Sequence, residues 1–403
     1  MRRNRMIQWR FFTLLASVPM AMAQAAEYRD VSDTHLPPDL PRTCMDAAAA
    51  DVDGDGDIDI ALANEREANI LLINDGQGRF ASDPDRIPQT PHDSEDTTFA
   101  DVNGDGHPDL LFASEDSKDN ELYLNDGSGR FRNASENLPL KGRSNAIDVV
   151  DLNGDGALDI VLGNYGAEGV MINDGRGHFS DQTESYWPNT GGDTQDVELA
   201  DLDGDGDLDA VLADEGPNLL YFNENGRLLA APPGHLPVRH DESREFRAAD
   251  ADGDGDQDLL LVNINIEFTG PKDTLLFIND GSGRFSVAPS EDFPAGDREF
   301  FTVQVADVDT DGDLDAILPS SMFDPDTGDY LVYLNDGSGR FSLAAAGSIL
   351  PESVNDRGIG FDIQVADFDG DGQEDLFFCN RAIPRTDPLV GGQSSLLLRG
   401  GAG

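Results

Sequence analysis

Nine-residue acidic segments recur along the chain, at 51–59, 101–109, 151–159, 201–209, 250–258, 307–315 and 367–375. Numbered from the first Asp, positions 1, 3, 5 and 9 are Asp everywhere except Asn103 and Asn153, and position 6 is always Gly. Position 7 varies freely through Asp57, His107, Ala157, Asp207, Asp256, Asp313 and Gln373. A calcium loop takes side-chain oxygens at positions 1, 3 and 5 but a main-chain carbonyl at 7, where the side chain is unconstrained. An all-oxygen set of this size suits a hard cation with six to eight ligands better than Zn²⁺ or Mg²⁺. An EF-hand is excluded, because it needs a bidentate Glu at position 12, which is Leu62 inside an apolar run in the first segment. Position 9 is therefore expected to complete the site.

The reading assigns up to seven Ca²⁺ ions. The expected ligand sets are Asp51, Asp53, Asp55, Asp57 and Asp59; Asp101, Asn103, Asp105, His107 and Asp109; Asp151, Asn153, Asp155, Ala157 and Asp159; Asp201, Asp203, Asp205, Asp207 and Asp209. They continue with Asp250, Asp252, Asp254, Asp256 and Asp258; Asp307, Asp309, Asp311, Asp313 and Asp315; and Asp367, Asp369, Asp371, Gln373 and Asp375. Without metal these carboxylate clusters would repel one another strongly.

Something must hold such loops in place. The segments begin 50, 50, 50, 49, 57 and 60 residues apart, and a period of that length marks a repeat architecture. Each is followed by a short apolar run ("IDIALA", "PDLLFA", "LDIVLG") of strand length and composition. Further on, apolar residues lead into "NDGQGRF", "NDGSGRF" or "NDGRGHF", a hairpin signal in which Gly accepts positive φ. Before each acidic segment lies another strand with period-two patterning, as in "AIDVVD" and "DVELAD". Each unit thus reads as a four-stranded antiparallel sheet, and seven of them without intervening helices predict an all-β, seven-bladed propeller. The seventh unit ends at "LLLRGGAG" without its fourth strand; Tyr28–Pro37 ("YRDVSDTHLP") is expected to supply it and close the ring.

The pattern D-x-[DN]-G-D-G-x-x-D, an apolar strand and "NDGSGRF" resembles the FG-GAP/VCBS repeats of integrin-α-type propellers, over residues 27–403. The resemblance implies side-chain ligands at positions 1, 3, 5 and 9 and a carbonyl ligand at 7. One departure is Thr310 at position 4, usually Gly, where strain is expected. The scaffold carries adhesion proteins, lectins and polysaccharide lyases, so the fold does not choose among them.

Compartment and charge narrow the partners. Residues 1–23 join a basic start, the apolar "FFTLLASVPMAM" and a small-residue cleavage site, which predicts a signal peptide and a secreted or periplasmic protein. No later apolar run is long enough to cross a membrane as a helix. The net charge is −52, and removing residues 1–23, with four arginines and no acid, leaves about −56. Such a field excludes nucleic acid and anionic lipid as partners.

The span from position 9 to the turn is 14–16 residues in the first four units, 21 and 20 in the fifth and sixth, and about 24 in the seventh. Long loops on a rigid scaffold often carry function. They point to a ligand surface with Asn263, Asn265, Glu267 and Phe268, then Phe323, Asp324 and Asp326, then Arg381 and Arg385, with Trp187 on the same face. Aromatics beside amides and carboxylates suit a sugar. Cys44 and Cys379, the only cysteines, fall in the first and seventh units, which ring closure makes neighbours, so a disulfide is expected. Arg79, Arg130, Arg227, Arg284 and Arg340 recur in the turns and are expected to pair with carboxylates, and the Phe after the Gly-Arg or Gly-His is expected to anchor packing. No nucleophile elbow or spaced His pair is evident. The expected role is a binding or adhesion module for a glycan or surface protein; the alternative is a calcium-dependent, lyase-like enzyme on polysaccharide.

Overall fold

The computed structural model describes residues 28–401 except 42, 116–118, 142, 189–190, 266–272, 297, 320–329, 352–353, 355–357 and 382–394. Residues 1–27, with the expected signal peptide, and residues Glu267, Phe268, Phe323, Asp324, Asp326 and Arg385 lie outside the described residues.

The architecture is all-β. In the first unit, strands Cys44–Ala50, Asp59–Ala68, Ile70–Asn74 and Phe80–Ser82 pair in sequence, each antiparallel to the next. The pattern restarts at Pro91, Ser144, Gly192, Asp241, Gln304 and Ile359. In the last of these, Ile359–Ala366, Asp375–Arg381 and Leu396–Arg399 pair in turn, and Arg29–Asp30 adds antiparallel to Leu396–Arg399.

Second strands are buried from their first residue, throughout in Asp109–Ser114 and Asp258–Ile264 and for the first five or six residues in Asp59–Ala68 and Asp159–Gly166, because sheets pack on both of their faces. This explains why they read as unbroken apolar runs rather than alternating ones. The cores lie between units. One face of the first unit gives Ala61, Ala63 and Leu71 to a cluster with Leu110, Phe112 and Tyr123 of the second. Its other face packs Ile60, Leu62 and Leu72 against Phe368, Phe377 and Leu397 near the chain's end. Each such side chain fully buried is worth about 1.5–3 kcal/mol. Phe80, Phe131, Phe285 and Phe341 after the turns are buried, with Phe80 edge-on to Phe368 at 5.6 Å. Cys44 and Cys379, both buried, are joined as a disulfide with Cα atoms 5.4 Å apart.

Several expectations are corrected. The N-terminal segment is a strand only at Arg29–Asp30; Ser32–His35 turns into one helical turn. Asp30 Oδ1 accepts the N–H and hydroxyl of Ser32, the local bond that competes with an extended chain. Similar single turns, Thr183–Tyr186 and the 3-10 turn Ser135–Asn137, follow the fourth strands of two units. The turn at Thr183–Tyr186 carries Trp187 inward rather than outward. Trp187 is fully buried between Val161, Val170 and Leu212, with its ring edge-on to Tyr221 at 5.3 Å. It is a core residue, not a ligand platform, and Trp187→Ala should cost about 3–5 kcal/mol in urea unfolding.

Asn263 is also buried, not surface-exposed. Its Nδ2 donates to the Asp273 carbonyl at 2.7 Å and its Oδ1 accepts from the Ser243 hydroxyl at 2.9 Å. Asn64 and Asn164, at the same offset after position 9, donate in the same way to the carbonyls of Ala68 and Ala167. The residue staples the strand end.

Thr310 has φ of 61°, as the departure from Gly implied. A β-branched side chain in the left-handed region costs about 1–2 kcal/mol, partly offset in Gly by its greater unfolded-state entropy. Thr310→Gly should stabilise the protein by about 1 kcal/mol, measurable as a raised urea midpoint with an unchanged slope.

Candidate functional site

Two sets of side chains stand out: the acidic loops and a cavity lined by the first strands. The loops are shaped by their own backbone. Asp51 accepts the N–H groups of Gly54 at 2.8 Å and Gly56 at 3.0 Å, and Asp55 Oδ1 accepts that of Asp57 at 3.0 Å. Position 9 is committed to main chain on both oxygens: Asp59 Oδ2 accepts the Val52 N–H at 3.1 Å and Oδ1 the Asn74 N–H at 2.8 Å. The turn Asn ties units together as well. Asn125 Nδ2 donates to the Val52 carbonyl at 2.8 Å, and Asn74 Nδ2 reaches the Phe368 carbonyl at 2.7 Å. Gly76 is favoured by its φ of 73°, in the left-handed region.

Carboxylate oxygens of three residues lie within 4.8 Å of one another in five loops. In two the set is positions 1, 3 and 9 (Asp51, Asp53, Asp59; Asp201, Asp203, Asp209). In three it is 1, 3 and 5 (Asp250, Asp252, Asp254; Asp307, Asp309, Asp311; Asp367, Asp369, Asp371). In the loops at 101 and 151 the third position is Asn, and its amide donates to the position 9 carboxylate, at 3.4 Å from Asn103 and 3.2 Å from Asn153. Asp53 Oδ1 is buried without a hydrogen-bond partner, a vacancy in its bonding that a cation fits. Burial pushes the position 9 carboxyls up, to about 7 at Asp59, Asp109, Asp209, Asp315 and Asp375 and to about 6 at Asp159 and Asp258. Several acidic clusters can therefore hold a metal ion.

The last loop differs. Gly400 stands where other units have the turn Asn, its N–H reaching Asp375 Oδ1 at 2.8 Å, and Arg399 just before it pairs with Asp369 and with Asp371 at 3.2 Å. This guanidinium engages two carboxylates of its cluster, against the single one that Arg86 engages in the first loop (Asp53, 3.2 Å), so this loop should be the weakest metal site. Arg399→Gln should strengthen metal binding there, read as one tighter step in calorimetric titration.

Most turn arginines bond carbonyls rather than carboxylates. Arg284 reaches the Gly234 carbonyl at 3.0 Å and Arg227 that of Ser185 at 2.9 Å, while Arg340 pairs with Asp292 at 3.2 Å. The segment leaving the previous unit's fourth strand presents those carbonyls to the turn.

The second set was not anticipated from sequence. Five residues before each loop stand Asp46, Asp96, Asp196, Glu245 and Asp362, with Ala146 and Thr302 at the same offset in the other two units. A β-bulge just before this position recurs, at Cys44/Asp46, Ser94/Asp96, Ser144/Ala146, Thr194/Asp196, Ser243/Glu245 and Gly360/Asp362. Bulges re-aim side chains. Here they turn the acids across to the neighbouring first strand: Asp46 accepts the Thr97 N–H at 2.8 Å, Asp96 that of Ile147 at 2.6 Å and Asp196 that of Phe246 at 3.0 Å. Glu245 accepts from Val303 at 3.3 Å and Asp362 from Ala47. The repeated offset was the available signal.

These strands line a cavity of about 600 Å³. Burial pushes up Asp46 and Asp196, and raises Asp96 to about 6, Asp148 and Glu245 to about 7 and Glu95 to about 8. Arg247 lies among them, paired with Glu245 and, at 3.9 Å, with Glu198. Of the expected ligand residues only Arg381 lines this cavity, and it is paired with Glu65 at 2.5 Å; Asn265 is half-buried outside it.

Among the described residues no helix is long and apolar enough to cross a membrane. No curated protein sequence matches the chain. Solved structures show the fold. BBS1N in complex with ARL6DN is 12% identical, with TM-score 0.54 over 93% of this chain and 97% of that one. YCF48 bound to D1 peptide is 10% identical, with TM-score 0.53 over 95% and 100%. The extracellular domain of the putative hybrid two component system BT3049 from B. thetaiotaomicron is 11% identical, with TM-score 0.50 over 89% of this chain and 40% of that chain. All support a propeller-like arrangement. The FG-GAP-like repeat matches residues 51–112, 101–162, 151–212 and 201–261. With its acidic loops, hairpin turns and four-stranded units, the chain belongs to the FG-GAP-like repeat family.

Proposed function

We propose that this chain is an exported, calcium-loaded, seven-bladed propeller, closed by its N-terminal strand, that acts as a binding module for a glycan or a surface protein. The acidic loops carry the reading. Positions 1, 3 and 5 offer side-chain oxygens around a backbone already shaped by Gly, and position 9 anchors the loop or joins the cluster. Bound Ca²⁺ supplies positive charge that neutralises each cluster; it holds the loops and so the sheets that follow them.

Closure is supported by bonds that return the chain's end to its beginning: Asp362 to the Ala47 N–H, Asn74 to the Phe368 carbonyl, and Arg29–Asp30 beside Leu396–Arg399. Export is supported by the sequence of residues 1–23 and by the disulfide, which persists in oxidising compartments. Binding is favoured over a lyase acting on an anionic polysaccharide because the cavity's excess of carboxylates would repel a uronate chain. A glycan-array and surface-protein screen, with Ca²⁺ and with EDTA, tests the reading. Calcium-dependent retention of a ligand is expected, and turnover of a polysaccharide by the purified protein would replace it with the lyase-like alternative.

A further inference from the structure

The bulged residues, one place before the inward-turned acids, form a set of their own. They are Met45, Glu95, Asn145, Gln195, Arg244 and Phe361, and Phe301 holds the same offset in the sixth unit. All are half-buried and all line the one cavity. The loops and the inward acids repeat a single chemistry from unit to unit. This position instead brings together a thioether, a carboxylate, two amides, a guanidinium and two phenyl rings.

The two rings stack face to face. Phe301 and Phe361 stack with centroids 4.4 Å apart and an interplanar angle of 26°, and both keep exposed surface toward the cavity. The volume, about 600 Å³, falls in the range of small-molecule sites, roughly 300–1,000 Å³. Hydrogen-bonding capacity there is lopsided. Arg244 is engaged by Glu215 at 3.1 Å and Glu242 at 2.9 Å, and Arg247 by Glu245 and Glu198. Arg381, the third lining cation, is paired with Glu65, and Asp46, Asp96, Asp148, Asp196, Asp362 and Glu95 outnumber the three. A ligand must therefore bring donors and positive charge, with one apolar face for the phenyl shelf. An anionic uronate would meet repulsion.

We propose that the mouth of this cavity binds an amine-bearing saccharide, with a hexosamine ring against the Phe361 side of the Phe301–Phe361 stack and its ammonium directed toward the carboxylates. The pyranose face supplies the apolar surface, its hydroxyls donate to Glu95 and to the amide oxygen of Asn145, and the ammonium balances the buried acids. The proposal rests on the reading of the chain as a glycan-binding module.

The test uses the full mature protein loaded with Ca²⁺, titrated calorimetrically at physiological salt. The probes are a short glucosamine oligomer, its fully N-acetylated counterpart, an oligogalacturonate and an oligolysine of matched charge. The glucosamine oligomer should bind at least tenfold tighter than the acetylated one, and the oligogalacturonate should not bind. Phe361→Ala should weaken that binding at least tenfold with calcium content unchanged. Glu95→Gln, which keeps the side chain's size but removes a carboxyl able to ionise against the ammonium, should weaken it severalfold. Equal affinity for the acetylated and free-amine oligomers overturns the ammonium assignment. Binding unaltered by both variants, or matched by oligolysine, overturns the site in favour of diffuse charge attraction or a basic peptide. If no glycan of any class binds on an array, the glycan-binding reading itself fails.

Discussion

Removing calcium with EDTA is expected to lower the melting temperature by on the order of 15 °C. The positions expected to bind metal hold 26 carboxylates, and the described loops bring three such oxygens within 4.8 Å in five places. Seven Ca²⁺ would move the charge of the chain without residues 1–23 from about −56 to about −42. A ligand that binds only the folded state stabilises it by about 2.7 kcal/mol per site at a hundredfold excess over Kd. Each kcal/mol shifts the melting point of a domain this large by about 2 °C or less. Several sites together therefore outweigh any single side-chain contact. Readdition of Ca²⁺ should restore the melt, whereas Mg²⁺, which demands tighter octahedral geometry, should restore little. A melt unchanged by EDTA, with elemental analysis finding no calcium, sinks the assignment.

Replacing both cysteines, Cys44→Ser with Cys379→Ser, should cost about 3–5 kcal/mol in urea unfolding with calcium present. The bond joins residues 335 apart in sequence, and the chain-entropy account of cross-links gives its largest values for such long loops, near 5 kcal/mol. It also links the strand Cys44–Ala50 to the strand Asp375–Arg381, so its loss should loosen the first and last units before the others. Hydrogen exchange would show this as faster opening of those two strands than of Asp159–Gly166. A double variant within about 0.5 kcal/mol of the parent, with uniform exchange, would show that packing alone holds the two ends together.

What the sequence determined by itself lies within short windows of chain. Nine residues suffice to specify an acidic loop, because ligand spacing and the positive φ of Gly54 and Gly56 are local properties. The turns and the strands beside them are equally local, since Asn-Asp-Gly chemistry and apolar runs act over a few residues. Even the strain at Thr310 was legible from one position in a repeated pattern. The tertiary structure decided what meets across units. Trp187 read as an exposed aromatic, yet one helical turn after Asp181 swings it into the groove between two sheets, where burial outweighs any surface role. Asn263 read as a loop donor until the Asp273 carbonyl and the Ser243 hydroxyl engaged both ends of its amide. Asp46, Asp96, Asp196, Glu245 and Asp362 stand about fifty residues apart or more in sequence, so nothing local brings them together. Only the recurring bulge turns each toward the next first strand, and only the packing of sheet on sheet brings them around one cavity with Phe301 and Phe361. Convergence is a sum over the whole fold, so no local window contains it.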